Sequence, residues 1–268
     1  MTGNRSDPIG VFDSGIGGLT VVRALMEELP SENIVYFGDT ARVPYGVKSV
    51  ETITRYATEI TAFLLDKKVK ALIVACNTMA AVAFQAIENI SPVPVLGVVD
   101  AGTKKAVSET LNKRVGIIGT PTTIASNAYP NAISTYDPGI KVFSQSCPLF
   151  VPLVEEGWLD HQATRLTAEE YLGPIMTRDI DTLVLACTHY PLLKPLLREV
   201  LGNRIQLVDS AETISKQARE LFEEKNLQNK QKKPPEYRFF ITDAPERFRE
   251  VGERFLGRTL SRLTVVKW

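Results

Sequence analysis

The sequence predicts an α/β protein built on doubly wound, mainly parallel sheets, and three observations carry that reading. Short apolar runs alternate with helix-period patterns along nearly the whole chain, the rhythm of strands joined by crossover helices. Some of these runs, Ala71-Leu72-Ile73-Val74-Ala75 above all, are apolar without a break, as in strands covered on both faces. One strand-and-turn unit also occurs twice, as Leu72-Ile73-Val74-Ala75-Cys76-Asn77-Thr78 and as Leu183-Val184-Leu185-Ala186-Cys187-Thr188-His189.

In chain order, Ile9-Gly10-Val11-Phe12 reads as the first strand. Leu19, Val22, Leu25 or Met26, and Leu29 then recur at helical spacing, and Pro30 stops that helix. Residues 34–37 form the next strand, and Val50, Ile53, Ala57, Ile60 and Leu64 mark the helix after it. Further strands are expected at 71–75, 95–99, 115–119, 140–143, 182–186 and 205–208, with helices between most of them. Asp209 with Glu212, and Asp243 with Glu246, have capping-box spacing. The first pair precedes the stripe Ile214, Ala218, Leu221 and Phe222, the second Phe248, Val251 and Phe255. Segment 224–237 is polar, lysine-rich and carries Pro234-Pro235, which reads as a solvated loop.

A length of 268 residues allows one or two domains. Lys plus Arg and Asp plus Glu number 31 each, so no charge excess asks for nucleic acid or an anionic membrane as partner. No run approaches the roughly 20 apolar residues of a membrane helix, and residues 1–8 are polar with no signal core. A cytoplasmic protein is expected, with its three cysteines as free thiols. Two histidines, scattered cysteines and no Cys-x-x-Cys argue against a zinc site.

A cysteine ending a buried strand is ordinarily a small core residue. Cys76 and Cys187 differ in their neighbours, because Asn77-Thr78 and Thr188-His189 bring hydrogen-bonding groups to the same turn. A helix start there favours a thiolate and a bound carboxylate. The repeat then suggests two similar half-molecules, each offering a thiol at the carboxyl end of a central strand, where open parallel sheets bind ligands. The competing reading is that strand–turn–helix units resemble one another by chance. Cys147, set among Pro148, Leu149, Phe150, Val151 and Pro152, reads as structural. His189 suits activation of the Cys187 thiol, whereas His161 reads as part of a surface loop.

Asp13-Ser14-Gly15-Ile16-Gly17-Gly18 follows the first strand and invites comparison with a dinucleotide-binding turn, with Asp39 as the ribose-binding acid. Thr20 replaces the third glycine, however, and Asp13 would repel a pyrophosphate. A carboxylate here better suits an ammonium group, or a thiol that needs a proton acceptor. Tyr45 and the Gly46 amide sit over the same strand edge, in a stretch that Pro44 and Gly46 also mark as a turn. Thr120, Thr122 and Thr123 end another strand and serve as a helix N-cap, a carboxylate site, or both.

Taken together, these residues resemble the Asp/Glu racemase family, and its glutamate branch in particular. The likeness covers essentially the whole chain. It rests on Gly10-Val11-Phe12-Asp13-Ser14-Gly15-Ile16-Gly17-Gly18-Leu19, Gly38-Asp39-Thr40, Pro44-Tyr45-Gly46, Ala75-Cys76-Asn77-Thr78, Ser126-Asn127-Ala128-Tyr129 and Cys187-Thr188-His189-Tyr190-Pro191. Met79 departs from the small residue usual in the family. The resemblance implies two α/β domains with the active site in the cleft between them. Domain 1, residues 1–99 plus 208–268, carries Cys76, and domain 2, residues 100–207, carries Cys187. It implies interconversion of L- and D-glutamate for peptidoglycan synthesis, with no cofactor, by a homodimer. Cys76 then acts on D-glutamate, assisted by Asp13, and Cys187 on L-glutamate, assisted by His189. Asp13, Ser14, Tyr45, Gly46, Asn77, Thr78, Thr188 and His189 hold the substrate, with Thr120, Thr123 and Glu155 behind them. An aspartate or other amino-acid racemase, a cysteine hydrolase, and a two-domain amino-acid-binding protein are the alternatives. The last two leave a second matched thiol without a role.

Overall fold

A computed structural model describes residues 4–231 and 233–267. Residues 1–3 of the polar 1–8 stretch, Lys232 of the 224–237 segment, and Trp268 lie outside the described residues. The first part of the chain runs β1 (Ile9–Asp13), α1 (Leu19–Glu28), β2 (Ile34–Gly38), α2 (Val50–Asp66), β3 (Ala71–Val74), α3 (Asn77–Val82), α4 (Phe84–Ile90), β4 (Val95–Gly97) and α5 (Val98–Glu109). It continues through β5 (Arg114–Gly119), α6 (Pro121–Ala125), α7 (Ala128–Tyr136), β6 (Lys141–Ser146), α8 (Phe150–Glu155), α9 (Gln162–Met176), β7 (Thr182–Ala186), α10 (Lys194–Leu201) and β8 (Gln206–Asp209). It closes with α11 (Ser210–Glu224), β9 (Tyr237–Ile241), α12 (Pro245–Leu256) and β10 (Leu263–Val265).

Two parallel sheets result. The larger has the order β10-β9-β2-β1-β3-β4, the smaller β6-β5-β7-β8. In the larger, β1 pairs with β2 on one side and β3 on the other. In the smaller, β5 is flanked in the same way by β6 and β7. Successive connections therefore leave in opposite directions between β1 and β3, and again between β5 and β7. Each such reversal opens a crevice at the carboxyl ends of the strands. Within two residues of these ends come Ser14, Cys76, Thr120 and Cys187.

The sequence patterns explain most elements. β1, β2, β3 and β7 are buried along their whole length, so each gains roughly 1.5–3 kcal/mol per large apolar side chain against an unfolded chain. Ser49 caps α2 by accepting the Thr52 N–H, and Ile53, Ala57, Ile60 and Leu64 face the core. Val50, expected on that face, is exposed.

Several expectations need correction. β4 stops at Gly97, because Val98 and Val99 already belong to α5. β6 runs from Lys141 to Ser146 instead of 140–143. It is a half-exposed edge strand, which tolerates Ser144, Gln145 and Ser146. β9 and β10 are strands that the apolar pattern did not mark, and β10 is another partly exposed edge. Asp209 does cap α11 through the Ala211 N–H, but Glu212 turns away to pair with Lys194. Asp243 is not the cap of α12; that position is Ala244, in left-handed conformation.

The 224–237 segment is more than a solvated loop. Lys70 is buried beneath it, pairs with Glu32, and donates to the carbonyls of Arg5 and Leu227, at 2.8 Å each. Glu32 in turn accepts the Asn229 N–H at 2.8 Å. Leu227 and Asn229 are accordingly buried.

Candidate active site

Both crevices open onto one cavity of about 410 Å³, lined from the larger sheet's side by Ser14, Tyr45, Gly46, Cys76, Asn77 and Thr78. The smaller sheet's side contributes Thr120, Glu155, Cys187, Thr188 and His189. Of the residues given a role by the family resemblance, Asp13 and Thr123 stay outside the lining. Asp13 is 1% exposed: it turns back under its own strand end, where Oδ2 accepts the Gly15 N–H at 3.1 Å. Thr123 stands behind Thr78 and Thr120, with hydroxyl contacts of 3.1 and 2.9 Å to them. Thr78 and Thr120 are themselves 3.0 Å apart.

Cys76 is the N-cap of α3 and donates to the Ser14 hydroxyl at 3.8 Å. The helix start expected to favour a thiolate does not offset desolvation. Burial, together with the nearby Asp13 charge, pushes this thiol up to about 12. Asp13 is itself raised from the ordinary carboxyl value, chiefly by burial against a smaller opposing pull from His189. Its Oδ1 has no hydrogen-bond partner.

The second turn is wired differently. Cys187 is followed by a 3₁₀ turn, Tyr190–Leu193, before α10 begins, so the two repeats diverge just after the thiol. Cys187 Sγ lies 3.9 Å from His189 Nδ1, and His189 Nε2 is 3.0 Å from Glu155 Oε1. Burial opposes protonation of this histidine. The contacts with Cys187 and Glu155 outweigh it and push the imidazole up to about 10. Glu155 is lowered because its bond to His189 and the nearby positive charges exceed its own burial cost. These contacts therefore favour the protonated form of His189.

Tyr45 lines the cavity, but its hydroxyl is already committed as a donor to Asp39. Asp39 also accepts from Arg42 Nε at 2.6 Å and from the Thr242 hydroxyl at 3.0 Å. A carboxylate enclosed by three donors is unavailable to a ribose, which removes the dinucleotide reading of this turn. Asn77 accepts from the Tyr129 hydroxyl at 2.7 Å.

The two turns also touch. A Cβ added to Gly17 would lie 2.2 Å from Thr188 Oγ1 and 2.5 Å from His189 Nδ1, so only glycine lets the first turn approach the second so closely. Thr20 reinforces this contact by donating to the Thr188 carbonyl at 3.1 Å.

Sequence reasoning missed the apolar walls. Val43, Pro44 and Val47 form one lip, and Pro148, Val151 and Pro152 the other. Pro148-Leu149-Phe150-Val151-Pro152 reads as structural because it lacks polar groups. A wall with few donors is nevertheless what keeps a charged reaction centre dry. Cys147, at the base of that run, is fully buried outside the cavity. His161 caps α9 and stacks on Trp158 at 4.4 Å. Among the described residues, no group of three or more His, Cys, Asp or Glu side chains is disposed to hold a metal, and no helix is long and apolar enough to cross a membrane.

Known proteins are similar to this chain in sequence and fold. Glutamate racemase of Syntrophus aciditrophicus is 66% identical over 253 residues, 94% of each chain. Among solved structures, glutamate racemase of Francisella tularensis in complex with D-glutamate superimposes with a TM-score of 0.93 at 45% identity. A glutamate racemase isoform of Bacillus anthracis gives 0.95 at 37%. Both cover 98% of each chain. The model of the family described as Asp/Glu/hydantoin racemase matches residues 9–218, and the chain belongs to that family.

Proposed function

We propose that this chain interconverts L- and D-glutamate, with Cys76 and Cys187 as the two proton carriers on opposite faces of the substrate Cα and without a cofactor. The observation that carries this reading is that two thiols, each at the switch point of its own sheet, line one cavity. A hydrolase needs one nucleophile, and a binding protein needs none.

The two thiols differ in a way that suits opposite tasks. Cys76, pushed up to about 12, is a proton donor at neutral pH. His189, whose protonated form is favoured by Cys187 and Glu155, supplies positive charge beside Cys187, whose thiolate the mechanism requires. From L-glutamate, Cys187 takes the Cα proton. Cys76 then delivers its own proton to the opposite face, and D-glutamate leaves. The two cysteines have exchanged protonation states, and the reverse reaction begins from there. Asp13 acts on Cys76 through its charge; when the reaction starts from D-glutamate with Cys76 still protonated, Asp13 takes that proton and His189 gives one to Cys187. Ser14, the Gly46 amide, Asn77, Thr78 and Thr188 hold the carboxylates and the ammonium, with Tyr45 as a wall. A Cα beside a carboxylate is a weak acid, so the preorganised donors and the dry walls must stabilise the developing carbanion.

We take residues 1–99 with 208–268 and residues 100–207 as two domains, since β1–β4, β9 and β10 build one sheet and β5–β8 the other, with β8 running two residues past the boundary to Asp209. Closing the cleft between them excludes water that would compete for protons. A homodimer in the cytoplasm, feeding D-glutamate to peptidoglycan synthesis, is the setting that the family resemblance supports.

The test is incubation of the purified protein with L-glutamate in heavy water with no added cofactor. Circular dichroism follows optical activity, and NMR follows deuterium at Cα. Loss of optical activity with deuterium entry is expected. Exchange without inversion would sink the opposed-thiol mechanism, and faster turnover of L-aspartate would overturn the choice of substrate.

A further inference from the structure

One motif behind the family resemblance, Ser126-Asn127-Ala128-Tyr129, has no part in the chemistry above. Its tyrosine begins α7, between β5 and β6 of the smaller sheet, and is 1% exposed. The Tyr129 hydroxyl reaches across to the larger sheet's side of the cavity and donates to Asn77 Oδ1 at 2.7 Å.

A phenol carries one hydrogen, and a buried one is placed where an acceptor receives it. Asn77 must therefore turn its oxygen toward Tyr129, which leaves Nδ2 facing away. That nitrogen is buried and has no partner in the protein, although Asn77 is 2% exposed and lines the cavity. An amide nitrogen carries two hydrogens, and leaving them unpaired in a buried site costs about 1–3 kcal/mol. Such an arrangement is retained where a ligand completes it. A substrate carboxylate, which only accepts hydrogen bonds, fits the free Nδ2 and would be repelled by Oδ1.

We infer that Tyr129 is a positioning residue: it fixes the flip of the Asn77 amide so that its N–H groups, and not its oxygen, meet a carboxylate of the substrate. This rests on the glutamate reading of the site. It adds that correct amide orientation on one side of the cleft is imposed by a side chain from the other.

The experiment is a double-mutant cycle with Tyr129→Phe, Asn77→Ala and the pair, measuring KM and kcat for both enantiomers, with thermal denaturation of each variant. Tyr129→Phe keeps the ring and loses only the hydroxyl. It is expected to raise KM about tenfold, the effect of losing about 1.4 kcal/mol of binding, with kcat changed less than about threefold. In the Asn77→Ala background the same substitution is expected to change KM less than about twofold. An equal effect in both backgrounds overturns the inference and makes Tyr129 merely structural. If the wild-type protein racemises glutamate and Tyr129→Phe leaves KM unchanged, the positioning role fails alone. If the wild-type protein does not racemise glutamate, the reading of the site fails and the inference with it.

Discussion

Asp13 puts a carboxyl where a charge is costly. It is buried, one oxygen has no partner, and its titration is raised from 3.8. Since the folded value lies above the unfolded one, folding disfavours the ionised form, and the penalty grows as pH rises above 3.8. Asp13→Asn is therefore expected to raise Tm at pH 7 by about 2–4 °C while slowing racemisation by about 10²-fold or more. Calorimetry and polarimetry on one preparation check both halves, and a lowered Tm would mean that a hidden partner stabilises the carboxylate. Residues such as Asp13, Cys76 and His189 were legible as candidates because they bring ionisable side chains to the ends of apolar strands. Their orientations were not. Tyr45 is turned inward by Asp39, which is itself held by Thr242, and no local pattern reports a partner so far along the chain.

Among the elements, strands β3 and β7 were legible because parallel strands at the centre of a sheet are apolar on both faces. The edge strand β10 was not, and β6 was legible only over its apolar start and not through Ser144, Gln145 and Ser146, since half-exposed backbone needs no apolar run. The cap of α12 failed for a related reason: an Asp-x-x-Glu spacing is common, whereas the left-handed Ala244 is dictated by how β9 delivers the chain. The contact between the Gly17 turn and the Thr188-His189 turn is an element-scale property, because it sets how closely the two crevices face each other. Gly17→Ala must push the turns apart. It is expected to lower kcat/KM by about 10²-fold with a stability loss of only about 1–3 kcal/mol. Kinetics combined with urea unfolding test this, and unchanged kcat/KM would show that the facing distance is not set there.

At the scale of the whole molecule, the repeated cysteine unit correctly signalled two related halves, but not their inequality. One sheet has six strands and the other four, because the chain returns to the first after leaving the second. That return is secured by the buried Lys70–Glu32 pair, which gathers Arg5, Leu227 and Asn229 around it. Lone charged residues in a sequence look like surface, so this tie was invisible beforehand. Glu32→Ala leaves the Lys70 ammonium buried and unpaired, a change expected to cost about 3–5 kcal/mol. Since neither residue of the pair lines the cavity, KM should stay constant in the folded fraction. A shift in denaturation midpoint with unaltered KM is the expected pairing, and a stability change below about 1 kcal/mol would demote the tie to a surface-like ion pair.

The three threonine hydroxyls of Thr78, Thr120 and Thr123 form a closed triangle with edges of 3.0, 3.1 and 2.9 Å. Three hydrogens serve three edges, so the circuit runs clockwise or anticlockwise with every heavy atom in the same place. With every hydrogen spent inside the ring, Thr78 and Thr120 turn only lone pairs to the cavity, so in either sense of the circuit they meet a guest as acceptors, with no rebuilding of the wall.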